Sequence, residues 1–271
     1  MSTPDLDIGV IYTHERDLMP RLLETMARSG RGLSMRLLLV DNASDGVRPW
    51  LGYFSETEVL KNSRRLSYAA NLNRILDAST ARYVLLMNTD MYFDPNEPCL
   101  ARMVEFMDCQ PRCGLAGCRL LHADGSEALA ARRFPTLPLI AARRCGLGRW
   151  LRRSVDRHFY AERAPTDTWS CDWLSGCFLM FRREAIRQVG RFDEGYGKYF
   201  EDVDIGLRTA RAGWHVMHHG ATFCYHLEQR ASRRLLSADA WRHLRAYVHW
   251  LGKWGVSVPT SAPSPSTVKN P

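Results

Sequence analysis

Residues 84–94 read VLLMNTDMYFD. Val84 to Met87 are apolar without any polar alternation. That is the pattern of a strand covered on both faces, as in the central sheet of an α/β protein. The run stops at Asn88-Thr89-Asp90, with a second carboxylate at Asp94. A carboxylate at the C-terminal end of such a strand stands on the rim where open α/β sheets bind ligands. Asn, Thr and Asp also end strands as ordinary turn residues. The stretch by itself leaves both roles open for Asp90.

Its neighbours end the same way. DIGVIYTHER (7–16) is a β-branched run closing on Thr13 and Glu15, and MRLLLVDNASDG (35–46) is a second buried run closing on Asp41. Between them Leu18, Leu22, Leu23 and Met26 fall at helical spacing and stop at Gly30. NSRRLSYAANLNRILDAST (62–80) reads as a loop leading into a helix. The order β-α-β-α-β predicts an α/β fold with a central, mostly parallel mixed sheet flanked by helices. Three polar strand ends on one rim suggest a site.

Further along, residues 98–111 read as an amphipathic helix, and 113–126 as a strand and hairpin turning at Asp124-Gly125. The basic stretch 132–157 has no clean period before about Leu147 and reads as a mobile insertion. Residues 169–192 read as one strand and a short helix stopping at Gly190. A glycine-containing loop then enters a helix near Glu201. The Pro/Ser-rich tail 257–271 is expected to be disordered.

The chain has 271 residues, 45% hydrophobic and 24% charged, which suits a globular protein and allows one large α/β domain or two small ones. No stretch has the apolar length of a membrane span. The N-terminus lacks the basic and apolar regions of a signal peptide, so a cytoplasmic location is expected. Eight cysteines without a CxxC pair fit reduced, mostly buried thiols. Cys109, Cys113, Cys118 and His122 do not have the spacing of the usual zinc modules. The net charge of +8 attracts anionic partners of several kinds. Without a recognisable nucleic-acid module it gives no reason to expect nucleic acid.

YFEDVDIGLRTARAGW (199–214) crowds Glu201, Asp202 and Asp204 at the start of a helix. The helix dipole favours acids there, and N-capping is the simplest account. Close carboxylates also repel, which raises at least one pKa and suits a general base. With YTHER, LVDNASDG, NTD and WLSGCFLMFRREAIRQVGRFDEGYGKYFEDVDIGLRTARAGW (173–214), the sequence resembles the GT-A-fold glycosyltransferases of family 2, in particular the rhamnosyltransferase-like bacterial members. The resemblance covers about residues 7–230.

It implies a single Rossmann-like nucleotide-sugar-binding domain over 1–256. Its parts would be a nucleotide-binding half (about 7–95), an acceptor and catalytic half (about 96–230) and a C-terminal amphipathic helix (about 237–254). Carried over residue by residue, it puts Thr13, Glu15, Asp41, Asn71 and Asn88 on the nucleotide side. Asp90 and His226 fall at a Mg²⁺ or Mn²⁺ site, with Asn88 replacing the first acid of the Asp-X-Asp pattern. Asp202 matches the base of an inverting reaction. Asp172, Trp173, Gly176, Glu201 and Asp204 fall around the donor and acceptor pocket. The implied donor is dTDP-L-rhamnose, with other dTDP- or UDP-sugars behind it, and the acceptor a lipopolysaccharide, other cell-surface glycan or lipid-linked intermediate. A strand-end aspartate phosphatase would need a nucleophilic Asp pair on the first strand, which YTHER lacks.

In SADAWRHLRAYVHWLGKWG (237–255), Trp241, Leu244, Val248 and Leu251 form one helical stripe with Tyr247 and Trp254 beside it. Arg242, His243, Arg245 and Lys253 lie mostly off it. Such a helix suits either an anionic membrane surface on the inner face or packing on the domain.

Overall fold

A computed structural model describes residues 3–136, 139, 150, 152–227 and 238–255. Leu6–Tyr12 (β1), Met35–Asp41 (β2), Thr57–Lys61 (β3) and Tyr83–Met87 (β4) pair in parallel in the order β3-β2-β1-β4. The helices Met19–Ser29 (α1) and Tyr68–Ala78 (α2) precede β2 and β4. Alternation along each strand feeds two cores. Tyr83, Leu85 and Met87 of β4 pack with α1, while Val84 and Leu86 pack with α2. Both faces are covered, which is why the run at 84–87 carries no polar residue. Gly9 on β1 lets α2 approach: a Cβ there would fall 2.3 Å from Ile75 Cγ2.

The remaining elements, in chain order, are Met91–Tyr92 (β5), Cys99–Cys109 (α3), Cys113–Leu121 (β6), Ala131–Arg132 (β7), Arg152–His158 (α4), Thr168–Ser170 (β8), Trp173–Leu174 (β9), Phe178–Arg182 (β10), Arg183–Val189 (α5), Glu201–Arg211 (α6), His215–His226 (β11) and Ala238–Trp254 (α7). β10 runs antiparallel between β4 and β6, with Phe178 opposite Met87. β11 runs parallel to β6 on its far side. The start of β10 therefore lies beside the end of β4, and the Asn88 N–H donates to the Cys177 carbonyl at 3.1 Å. Residues 172–177 reach the same rim as Asn88–Asp90.

Two expectations need correcting. The segment 169–182 is not one strand. It turns twice, so β8 pairs with β11, β9 pairs with β7 in a separate two-stranded sheet, and only β10 joins the main sheet. The basic stretch 132–157 is not wholly irregular. Arg132 is in β7, opposite Trp173, and Arg152–His158 forms α4. Residues 137, 138, 140–149 and 151 lie outside the described residues, as does the tail 257–271 read as disordered. β3 gave no strong signal in the sequence, because it is an edge strand with only partial burial.

Candidate active site

The carboxyl ends of β1 and β4 open into a cavity of about 990 Å³. The strand order reverses there, since β1 is flanked by β2 and β4, the place where open α/β sheets hold ligands. Thr13, Glu15, Asn71, Asn88 and Asp90 all line it. Glu15 Oε2 accepts the backbone N–H groups of Thr13 and His14, each at 2.9 Å, and so fixes the turn after β1. Asn71 is buried and takes part in an amide chain. Asn62 Nδ2 donates to Asn71 Oδ1 at 2.7 Å and lies 2.9 Å from Asn42 Oδ1, which also accepts the Leu66 N–H.

Asp41 is not among the residues lining this cavity. Its Oδ1 accepts from the Ser44 N–H and hydroxyl, so it holds the turn that presents Asn42 instead.

Asp90 stands with its Oδ2 3.3 Å from His226 Nε2, which the end of β11 brings in from far along the chain. No group of three or more His, Cys, Asp or Glu arranged around a metal is found among the described residues. An acid oxygen and an imidazole are nonetheless suitable donors for a divalent ion completed by a ligand's own oxygens. The cysteines form a different cluster from the one considered in the sequence. Cys118 lies 3.4 Å from Cys224, both buried, while Cys109 is exposed.

The acidic cluster at the start of α6 rests on an unusual backbone. Tyr199 and Phe200 have φ of 74° and 69°, two consecutive non-glycine residues in the left-handed region. Each costs on the order of 1–2 kcal/mol, and such strain collects where geometry serves function. Phe200 makes no side-chain cap, so simple N-capping does not account for the acids. Asp202 Oδ2 accepts the Gly176 N–H at 3.0 Å. The Gly176 carbonyl in turn lies 3.1 Å from the Tyr68 hydroxyl, which is 2.9 Å from Asn88 Oδ1. A short chain of contacts thus joins the end of β4 to Asp202. At Gly176 an added Cβ would make only ordinary contacts with Asp202.

Burial, and then the neighbouring Asp202 charge, push Glu201 up to about 8. Burial also raises Asp202, against Arg132 and the Gly176 N–H, which favour its ionised form. Among the described residues Glu201 Oε2 has no hydrogen-bond partner. Burial thus favours the protonated form of both acids, and the Asp202 charge adds to that at Glu201.

Three residues read as pocket-lining have other work. Asp204 is fully buried. It accepts from Arg208 Nε at 2.7 Å, Trp254 Nε1 at 2.8 Å and the Tyr196 hydroxyl at 3.2 Å, with Lys253 Nζ at 2.9 Å. It ties α7 to α6. Trp173 is buried against Gly206 with its Nε1 donating to the Arg133 carbonyl, so its ring packs within the core. Asp172 is buried, and burial pushes it up to about 6; its Oδ2 accepts the Phe134 N–H at 2.9 Å.

Four cations also line the cavity: Arg65, Lys198, Arg242 and Arg245. The last two come from α7. The sequence marks them only as the basic flank of an amphipathic helix, because nothing local shows that α7 folds back over the cavity mouth. The stripe read on that helix splits. Ala246, Tyr247 and Trp250 are the buried face, packed on Phe200 and Phe134. Trp241, Leu244 and Val248 are 68%, 39% and 59% exposed. No helix among the described residues is long and apolar enough to cross a membrane.

Comparison with known proteins bears on these features. The description "Glycosyl transferase family 2" matches residues 7–190. The N-acetylglucosaminyl-diphospho-decaprenol L-rhamnosyltransferase of Mycobacterium tuberculosis H37Rv is 30% identical over 207 residues, 68% of this chain and 66% of that protein. The rhamnosyltransferase WbbL of Escherichia coli K12 is 25% identical over 175 residues, 63% of this chain and 62% of that protein. The chain thus spans just under two thirds of these relatives. Among solved structures, the mannosyltransferase PcManGT of Pyrobaculum calidifontis, in complex with GDP-Man and Mn²⁺, superposes with a TM-score of 0.62 at 19% identity, covering 93% of this chain and 65% of that one. That likeness concerns the fold, which is of the GT-A type.

Proposed function

The chain belongs to glycosyltransferase family 2, and from that premise we propose that it moves L-rhamnose from dTDP-L-rhamnose, with inversion, to a hydroxyl of a lipid-linked or cell-surface glycan. The observation that carries the reaction is the contact chain Asn88–Tyr68–Gly176–Asp202, which couples the cavity's β4 rim to a half-buried carboxylate. Asp202 takes the acceptor hydroxyl's proton as that oxygen attacks the anomeric carbon. The bond from that carbon to the diphosphate oxygen breaks, and its electron pair leaves with the diphosphate. The developing cation is oxocarbenium-like. Arg65, Lys198, Arg242 and Arg245 surround the cavity with positive charge that suits a diphosphate. Asp90 and His226 are the residues that would hold Mg²⁺ or Mn²⁺, and such an ion would neutralise the departing diphosphate. Rhamnose as the sugar, and a lipid-linked acceptor, are supported by the names of the mycobacterial and E. coli relatives.

The test is nucleotide release from a panel of dTDP-, UDP- and GDP-sugars, with and without EDTA. dTDP-L-rhamnose should give the fastest release, and EDTA should suppress it. Asp90→Ala should weaken dTDP binding measured with Mg²⁺ present and leave binding without metal nearly unchanged. EDTA-insensitive release would pass the diphosphate to the four cations alone.

We place the enzyme at an anionic membrane surface through α7. Trp241, Leu244 and Val248 form an exposed apolar stripe, and Arg245 and Arg242 follow it around the helix towards the cavity. Each basic residue near an anionic surface adds about 1 kcal/mol. Sedimentation should show binding to anionic vesicles at low salt, weakening at high salt, and little binding to neutral ones. Equal partitioning to both kinds, or none to either, would remove the membrane role.

A further inference from the structure

The small sheet of β7 and β9 carries a cation to the Asp202 side of α6. Arg132 pairs with Trp173 and Ala131 with Leu174, and just past the ladder the Ser175 N–H donates to the Ala130 carbonyl at 2.9 Å. The next residue, Gly176, is the one whose N–H holds Asp202. Successive strand residues face opposite sides, and directly opposed residues share a side. Ala131 and Leu174 pack with Tyr160 and Trp169 on one side, so Arg132 and Trp173 share the other. There the guanidinium carbon of Arg132 lies 4.9 Å from the centre of the Trp173 ring and 5.5 Å from that of Phe159. Trp173 in turn is pressed on α6, since a Cβ at Gly206 would fall 2.8 Å from the Trp173 Cβ. Gly206 follows Asp202 by four residues, so the helix face that Trp173 covers is the face that carries Asp202.

The other ionisable groups around Asp202 are mostly acids. Glu201 stands beside it on α6, Tyr68 faces it from α2, and Cys177 faces it from the turn before β10. Asp90, at the end of β4, acts on Tyr68 and Cys177. Lys198, in the loop before α6, acts on Glu201. Burial disfavours the charged form of Asp202, and Arg132 is the first of the influences that oppose it, ahead of the N–H groups of Gly176 and Val203. Arg132 acts on Cys177 in the same sense. The two aromatic rings keep water from part of the guanidinium, so its attraction is screened less than on an open surface.

We propose that Arg132 is a positioning residue of the transfer reaction: standing over Trp173 at the Asp202 face of α6, it keeps the Asp202 carboxylate charged and so able to accept a proton. The proposal rests on the reading of Asp202 as the base. A carboxyl buried among acids without a cation would hold its own proton and could not take one from the acceptor hydroxyl. Arginine suits the task because its planar group stacks on a ring and does not give up its proton, so it never competes as the acid. It also resets the base. When the hydroxyl proton has passed to Asp202, the neighbouring positive charge favours its release to water and restores the carboxylate.

The experiment is a carbon-13 NMR titration of the full chain labelled at its aspartate carboxyls, with the Asp202 signal identified by its loss in Asp202→Asn. In Arg132→Met, which keeps an apolar stem over the ring and removes the charge, the Asp202 carboxyl should titrate at higher pH than in the parent. Arg132→Gln, a second neutral variant, should do the same and serves if the first does not fold. Arg132→Lys should stay near the parent. Arg133→Met removes a neighbouring charge that pairs with Glu162 and lies over Tyr160, and should leave the titration in place. In nucleotide-release assays the acidic limb of Arg132→Met should move to higher pH with the carboxyl, costing about tenfold in rate on that limb per pH unit moved. The rate should recover above the limb. An Asp202 carboxyl that titrates with the parent in both neutral variants, or that moves as far in Arg132→Lys or in Arg133→Met, would overturn the proposal. The titration is read without turnover, so its outcome is separate from that of Asp202→Asn in the transfer assay, which tests Asp202 as the base.

Discussion

Asp202→Asn should lower transfer by about 10²–10⁴-fold, the usual cost of losing a general base, while the affinity for dTDP stays near that of the parent. The amide keeps the shape of the side chain and can still accept the Gly176 N–H, so the α6 terminus keeps its geometry. What disappears is the ability to take a proton. The pH profile separates this from a structural effect. Burial raises the Asp202 pKa, so the acidic limb of kcat/KM in the parent should lie above the ordinary aspartate range of about 4. Activity rises with pH as the base ionises, and that limb should be missing from the residual activity of the variant. Turnover close to the parent's would take Asp202 out of the mechanism.

Asp204→Ala should destabilise the fold by about 3–5 kcal/mol, the cost of removing one partner from a buried ion pair. At about 2–4 °C per kcal/mol for a domain of this size, the melting temperature should fall by roughly 10 °C. The loss leaves Arg208 and Lys253 without their shared carboxylate and the Trp254 N–H without its acceptor. Asp193 is a second tie and keeps α7 from detaching altogether. Burial disfavours its charge, but Lys253, the Gly195 N–H and His249 outweigh that and hold it at about 2. Asp204→Asn, which can still accept from Trp254, should cost less. Thermal melts followed by circular dichroism measure both variants, and an Asp204→Ala melt that overlays the parent would refute the tether.

The contrast between these two acids shows what was legible in the sequence. A helix beginning near Glu201 could be read from the chain, and two residues apart on a helix means about 200° of rotation. Asp202 and Asp204 could not both face one pocket, and helical spacing alone could have divided them. That Asp204 is the one held by Trp254 and Lys253 needed the position of α7, and that was not available from local pattern. Asp90 was legible because a buried strand ending in an acid is a local signal. Asn42 and Asn62 were not, since each is an ordinary turn residue until the fold brings them to Asn71. Trp173 was read as a candidate sugar platform because an aromatic beside an acid has the same composition in a cleft and in a core. Three strands of the parallel half, β1, β2 and β4, were plain from their buried runs. The position of β10 was not, because pairing across so long a stretch of chain leaves no periodic trace.

That antiparallel strand has a consequence for the birth of the protein. β4 is completed at Met87, but the strand that covers its open edge begins only at Phe178. At ordinary elongation rates the interval on the ribosome is on the order of ten seconds. Throughout it the emerging chain presents an unpaired, wholly apolar strand edge, the kind that templates association between neighbouring chains. Arrival of 178–182 closes that edge and joins the first half of the sheet to the second in one step. A half-made sheet of this kind would gain from shielding, by chaperone or by the ribosome surface, for as long as its middle remains untranslated.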